Sequence, residues 1–203
     1  MDRAGRDCEA GVMFAPNVFP VAELKTERLL LRPHVEEDIE PTVRLFADEL
    51  SRRWLTVPQP YTLEHARRWC TQTSHTLRGV GDGINWAITD RATGRFLGGI
   101  GLKQTNWLHR STEVGYCVGS WARGQGYAPE ATRAVAEWVL RDQSFNRVQL
   151  FAATENIASQ RVAEKAGFVR EGVARNSGYT HEGQVDMVMF ALIPADLARP
   201  PVT

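Results

Sequence analysis

At 203 residues, with 43% hydrophobic and 24% charged residues, the chain suits one domain with its own apolar core. Its 24 Lys and Arg balance 24 Asp and Glu, so it lacks the positive excess of a general nucleic-acid binder, and no nucleic-acid partner is expected. Cys8, Cys70 and Cys117 are odd in number and widely spaced, which reads as reduced thiols of a cytoplasmic protein rather than a disulfide frame or zinc site.

Residues 1–22 carry Gly5, Gly11, Pro16 and Pro20 with little periodicity, and read as a loosely ordered arm with an apolar patch at Phe14 and Phe19. No apolar run approaches the roughly 18 residues of a membrane span, so no membrane association is expected. From Leu24 a strand runs to Pro33, and Ile39, Val43, Leu45 and Phe46 then predict an amphipathic helix to about Leu50. After a loop with Trp54, Pro58 and Pro60, Thr62 is placed to cap a second helix carrying Leu63, Ala66, Trp69 and Cys70. Asn85–Thr89 and Phe96–Leu102 read as a hairpin across Asp90–Arg95.

The stretch from Glu113 to Leu140 carries the strongest signal. Val114, Tyr116 and Val118 alternate at strand period, while Ala131, Ala134, Val135, Trp138 and Val139 recur at helical spacing. Between them lies Arg123-Gly124-Gln125-Gly126-Tyr127-Ala128, with Pro129 suited to the first helical position. Two glycines let several N–H groups face one point at the positive end of a helix dipole, a place that binds phosphate, and an adjacent arginine adds a charged fork. The loop is neither a Walker loop nor a dinucleotide-binding Gly-x-Gly-x-x-Gly.

Val148–Ala153 follows as a central strand, and Asn156 as the cap of a helix with Ile157, Val162, Ala163 and Ala166 on its buried side. Gly167 is placed to end that helix in the left-handed conformation, with Phe168 folding back. Phe168–Arg175 and Val185–Leu192 are the last strands, joined by a polar loop with Tyr179, His181 and Gly183. The element order predicts an α/β (α+β) domain over residues 23–196 and a tail over 197–203. Its sheet is mixed and mainly antiparallel, of about seven strands, with helices on both faces and parallel pairing at the two crossovers.

Several separated stretches resemble one family. The loop is similar to the Gln/Arg-x-x-Gly-x-Gly/Ala pyrophosphate loop of GNAT acetyltransferases, matched at Arg123, Gly126 and Ala128. Thr26–Pro33, Glu113–Tyr116 and the Asn156-x-x-Ser159-x-x-Val162-x-Glu164-Lys165-x-Gly167-Phe168 run resemble the branch containing the ribosomal-protein N-acetyltransferases, the Rim type. The resemblance covers about Leu24 to Asp196.

It implies the GNAT fold with its fourth and fifth strands splayed, and acyl transfer from acetyl-CoA or another acyl-CoA to a primary amine, with no metal. Pantetheine would lie between the parted strands against Tyr116, Cys117 and Val118, and the loop Arg123–Ala128 would hold the diphosphate. Asn156 and Ser159 would face the cofactor. An amine with pKa ~8–10 needs a base at neutral pH, and the resemblance makes Glu113 the first candidate, against a strand glutamate paired with a surface arginine. The tyrosine acid common in the family falls at Ala163, leaving Ser159 as a hydrogen-bond partner of the CoA sulfur, against a serine that only serves the helix start.

Cys117 has no activating neighbour in sequence and reads as a small strand residue. Trp54, Tyr179, His181 and Asp186 are candidates for the acceptor pocket, against ordinary loop and packing roles. The acceptor, a small molecule or a protein N-terminus, is left open, as is a monomeric or homodimeric state. An acyl-CoA sensor without chemistry and a nucleotide binder of another fold are the competing readings.

Overall fold

The burial of Leu29 and Leu31, alternating with half-buried Leu30 and Arg32, fixes which face of the first long strand meets the core. The computed structural model describes residues 17–198. The opening strand is broken in two, β1 (Leu24–Lys25) and β2 (Leu29–Arg32), antiparallel across a turn at Thr26–Arg28. The sheet continues with β3 (Ile84–Asp90), β4 (Phe96–Asn106), β5 (Ser111–Val118), β6 (Arg147–Ala153), β7 (Val169–Thr180) and β8 (Gly183–Leu192). Their order is β1-β2-β3-β4-β5-β6-β8-β7, so the split first strand makes eight where about seven were expected.

Among the described residues, only β5 and β6 pair in parallel. The second crossover does not add a parallel pair, because β8 inserts between β6 and β7 and is antiparallel to both. The helix α5 (Tyr127–Arg141) and the helix α6 (Ile157–Lys165) cover one sheet face. Ala131, Val135, Ala136, Val139, Ala163 and Ala166 bury there against Trp86, Ile100, Val114 and Leu150. The opposite face carries α1 (Ile39–Ala47), α2 (Glu49–Trp54) and α3 (Leu63–Arg68). A π-helical stretch, Trp69–Thr73, leads from α3 into α4 (Ser74–Gly79). Smaller apolar clusters, Leu45–Ala87–Phe96 and Ile39–Ala66–Cys70, sit under these helices.

Several boundaries differ from the sequence expectation. The first helix stops at Ala47, because Asp48 is extended (φ −66°, ψ 140°) and caps a separate helix, α2. Pro129 is the third residue of α5, not the first; Gly126 caps that helix from φ +79°. Proline is tolerated there because the N–H it lacks is still one of the unpaired ones of a first turn. Tyr179 and Gly183 belong to strands, and only His181 and Glu182 form the turn. Thr62 and Asn156 do cap their helices, accepting from His65 N and Ser159 N, and Gly167 is left-handed at φ +87°. Of the arm's apolar patch, Phe14 lies outside the described residues, while Phe19 is fully buried with ring centroids 4.8, 5.7 and 5.4 Å from Trp107, Trp138 and Phe145. Leu197, assigned to the tail, packs partly buried on the α5 side.

Candidate active site

Strands β5 and β6 are in register at Ser111↔Arg147, Thr112↔Val148 and Glu113↔Gln149, and their pairing ends there. From Gly115 to Val118, β5 is still paired with β4, but its other edge has no strand partner among the described residues. The two strands therefore part in a V. Beyond the end of β5, the chain passes through Arg123–Gly126 into α5.

The N–H groups of Gly124, Gln125, Gly126, Tyr127 and Ala128 meet no acceptor among the described residues. Gly124 and Gly126 are both left-handed (φ +74° and +79°), which turns the loop so that its amides lead into the helix start. Fifteen residues of α5 stand behind them, with the positive end of their dipole at the loop. A diphosphate fits such an unpaired donor set. The loop is braced from outside: Arg28 donates from Nη1 to Gln125 O (2.9 Å) and from Nε to Glu130 Oε2 (2.7 Å), and lies 4.8 Å over the Tyr127 ring. Gln125 itself turns back, Nε2 to Trp121 O at 3.4 Å.

Arg123 is placed differently from its sequence reading. Its Nε donates to Val118 O (3.0 Å) and its Nη2 to Asp48 Oδ1 (2.5 Å) and Ser51 Oγ (3.4 Å). Part of the fork expected for phosphate instead ties α2 to the loop. Burial pulls the Asp48 carboxyl upward, but the Arg123 hydrogen bond and charge, with the Ser51 amide, outweigh it and hold it below its ordinary value. Asp48→Asn keeps a capping oxygen for Ser51 N but loses the charge facing Arg123, and is expected to cost about 1 kcal/mol at neutral pH. A depressed folded pKa gives stability that is present above the unfolded value near ~3.9 and is lost as pH falls through the folded one. Urea unfolding should therefore show the wild-type advantage shrinking between pH 7 and pH 3; an undiminished gap at pH 3 would count against the ion pair.

Alternation along β5 divides the candidate chemistry between two faces. Val114 and Val118 enter the α5–α6 core, and Tyr116 points the same way, its Oη 3.0 Å from Ser159 Oγ in the first turn of α6. Cys117 packs on the other face beside Leu45, Ala87 and Phe96, and strand period puts Glu113 and Gly115 with it. Glu113 is nearly buried and pairs with Lys103 Nζ at 2.9 Å, so its partner is a cross-strand lysine and not an arginine. Above Gly115 the nearest atom to an added Cβ would be Lys103 Cε at 3.8 Å, leaving that face open. The Cys117 thiol lies 3.3 Å from Ser51 Oγ, and burial pushes it up to about 11, so it remains protonated.

Helix α2 spans the two arms of the V. Its start is held to the β5 side through Asp48 and Ser51, and Arg53 Nη2 reaches Glu155 Oε2 (3.1 Å) at the β6–α6 corner. Half-buried Trp54 ends this helix, with Arg53 stacked 4.6 Å over it. His181 at the β7–β8 turn contacts Val57 O at 3.0 Å, joining the hairpin tip to the loop after α2. The structure thus brings Trp54 and His181 to neighbouring segments. Tyr179 stands exposed on the hairpin, and Asp186 is occupied structurally, accepting from Asn176 N at 2.9 Å. Asn156 Oδ1 accepts from Ser159 N at 3.1 Å.

Asp48, Ser51, Arg28 and Glu130 were not singled out from the sequence. The Asp-Glu-Leu-Ser spacing at Asp48–Ser51 is a cap signal that could have marked the break. Nothing local marks Arg28 and Glu130, whose pairing spans 102 residues. Among the described residues, no group of three His, Cys, Asp or Glu side chains is arranged to hold a metal ion. No helix of the described residues is long and apolar enough to cross a membrane.

A single parallel strand pair that opens over a glycine-bearing helix start defines the class of protein. The GNAT acetyltransferase domain model matches residues 28–169, and the chain belongs to that acetyltransferase family. Among its relatives, the uncharacterised N-acetyltransferase YoaA of Bacillus subtilis is 28% identical over 176 residues, covering 87% of this chain and 98% of that protein. The Escherichia coli ribosomal-protein-serine acetyltransferase is 24% identical over 172 residues, covering 83% and 94%. In fold, the chain is similar to Mycobacterium smegmatis RimJ, solved in complex with CoA-disulfide (TM-score 0.76, 20% identity, 89% of this chain and 90% of that one).

Proposed function

We propose that the protein transfers an acetyl group from acetyl-CoA to a primary amine, with a protein N-terminus as the leading acceptor, by direct attack in a ternary complex. The observation that carries this reading is the row of unpaired amides from Gly124 to Ala128 at the open end of the β5–β6 gap. Similarity to the Escherichia coli ribosomal-protein-serine acetyltransferase supports a protein acceptor.

In this reading the loop amides hold the diphosphate, and the pantetheine arm runs along the unpaired edge of Tyr116–Val118. A thioester in the gap has Glu113 on one side of the sheet and the Tyr116–Ser159 pair on the other. The amine enters over open Gly115, beneath the α2 roof. Glu113 takes its proton, directly or through water, once the amine's ammonium displaces Lys103 from the carboxylate. The amine nitrogen bonds to the carbonyl carbon, the C–S bond breaks with its electron pair leaving on sulfur, and the surplus N–H proton of the new amide passes to water. A thioester is already activated, so alignment supplies much of the rate. Trp54, Tyr179 and His181 line the approach for the acceptor, and Asp186 braces the hairpin that carries two of them.

The test is release of free CoA thiol from acetyl-CoA in the presence of N-terminal Ala and Ser peptides, polyamines and aminoglycosides. Peptide-dependent release, with mass spectrometry locating the acetyl group on the α-amine, is the expected result. Tight CoA binding with no turnover on any amine class would instead favour an acyl-CoA sensor, for which Ala163 in place of a tyrosine is the supporting observation. Turnover with succinyl-CoA alone would move the assignment to a longer acyl donor.

A further inference from the structure

We propose that Tyr116 is a positioning residue for departure of the thiol: its phenol donates to Ser159 Oγ and thereby aims the Ser159 O–H at the CoA sulfur. This rests on the acyl-CoA reading above and deepens it. The carrying observation is a contact between the two arms of the V. Tyr116 Oη and Ser159 Oγ lie 3.0 Å apart, although 43 residues separate them in sequence. Tyr116 follows the last β5–β6 pair by three residues, and Ser159 sits in the first turn of α6 on the far arm. The two hydroxyls meet where the strands have separated.

The direction of the bond follows from acidity. A phenol is a stronger acid than an aliphatic alcohol and is the better donor, so the hydrogen bond runs from Tyr116 to Ser159. Burial pushes the Tyr116 phenol up to about 12, which keeps its proton in place near neutral pH. Ser159 then accepts through Oγ, while its backbone N–H is already given to Asn156 Oδ1. No carbonyl among the described residues accepts the Ser159 hydroxyl hydrogen, a bond that a helical serine commonly makes to its own backbone. That hydrogen is left for a ligand in the gap.

The chemistry asked of the pair is modest. As the C–S bond breaks, the electron pair moves to sulfur and the Ser159 O–H offers it a hydrogen bond. No proton is transferred, so the phenol stays neutral throughout. With Ala163 one turn along the helix from Ser159, no tyrosine from α6 competes for the place.

The experiment measures binding of CoA and of desulfo-CoA, in which hydrogen replaces the thiol, by calorimetry. The proteins are wild type, Tyr116→Phe, Ser159→Ala and the double variant. CoA affinity is expected to fall about 3–10-fold in each single variant, the range of one net hydrogen bond. The double variant should be no weaker than Ser159→Ala, and desulfo-CoA should bind all four proteins alike, which also reports an intact cleft. Tyr116→Phe keeps the ring that packs on the core, so its thermal unfolding should match wild type.

The proposal is overturned if Tyr116→Phe leaves CoA affinity unchanged, weakens both ligands equally, or weakens CoA further in the Ser159→Ala background. If wild type binds neither ligand, the acyl-CoA reading itself falls. If it binds both and only the Tyr116 effect is missing, that reading stands without this role.

Discussion

Replacing Gly126 by valine is expected to weaken CoA binding about 5- to 150-fold while leaving the fold intact. Gly126 caps α5 at φ +79°, where a β-branched residue costs ~1–3 kcal/mol, the free energy equivalent of that loss. Its Cβ would also stand 3.3 Å from Arg28 Nη2, and Arg28 cannot easily retreat while Glu130 and Gln125 O hold it. The loop must then shift, and the five unpaired amides move away from the arrangement proposed to hold the diphosphate. Gly124 provides the control. It is left-handed too, at φ +74°, but an added Cβ meets nothing within 4 Å, so Gly124→Ala should cost only the backbone strain and weaken CoA less. Calorimetric titration with CoA checks both; equal affinity in Gly126→Val and wild type would remove the loop from the binding site.

The second large effect is expected at Glu113. Glu113→Gln keeps the size and a hydrogen-bonding end but cannot accept a proton at neutral pH. It should lower kcat about 10²–10⁴-fold, the range for loss of a general base, with little change in CoA affinity. The Lys103 contact makes the opposite outcome informative. If Glu113 served only the cross-strand ion pair, Glu113→Gln and Lys103→Met would cost similar small amounts of stability and leave turnover alone. Under the proposed mechanism, Lys103→Met instead lowers KM for the amine, because one competing cation for the carboxylate is gone. Steady-state kinetics beside thermal unfolding of the two variants separates these cases, and a kcat for Glu113→Gln within about twofold of wild type would exclude Glu113 as the base.

Local chemistry decides an element's type, and its ends where a cap or a left-handed glycine marks them, and that much was readable. Alternating Val114, Tyr116 and Val118 require a strand, Thr62 and Asn156 satisfy helix-start amides, and Gly167 permits the left-handed stop. The glycines of the loop likewise announce a tightly turned backbone, because no other residue adopts φ +74° and +79° so cheaply. The family motifs extend this to the fold class and the class of reaction.

What the chain left unwritten is every relation between side chains far apart in sequence. Arg123 reads as a phosphate ligand until Asp48, 75 residues away, accepts its Nη2. Glu113 reads as a base or as the partner of a surface arginine until the β4–β5 register sets Lys103 opposite. Tyr116 reads only as a stretch of pantetheine-facing backbone until the parting of β5 and β6 brings Ser159 to its hydroxyl. Period and capping are properties of neighbours along the backbone, so the sequence determined most elements, the glycine loop at a helix start and the family. Pairing in the site depends on strand register and on where two strands stop pairing, and those follow from the packing of the whole sheet, which only the tertiary structure decided.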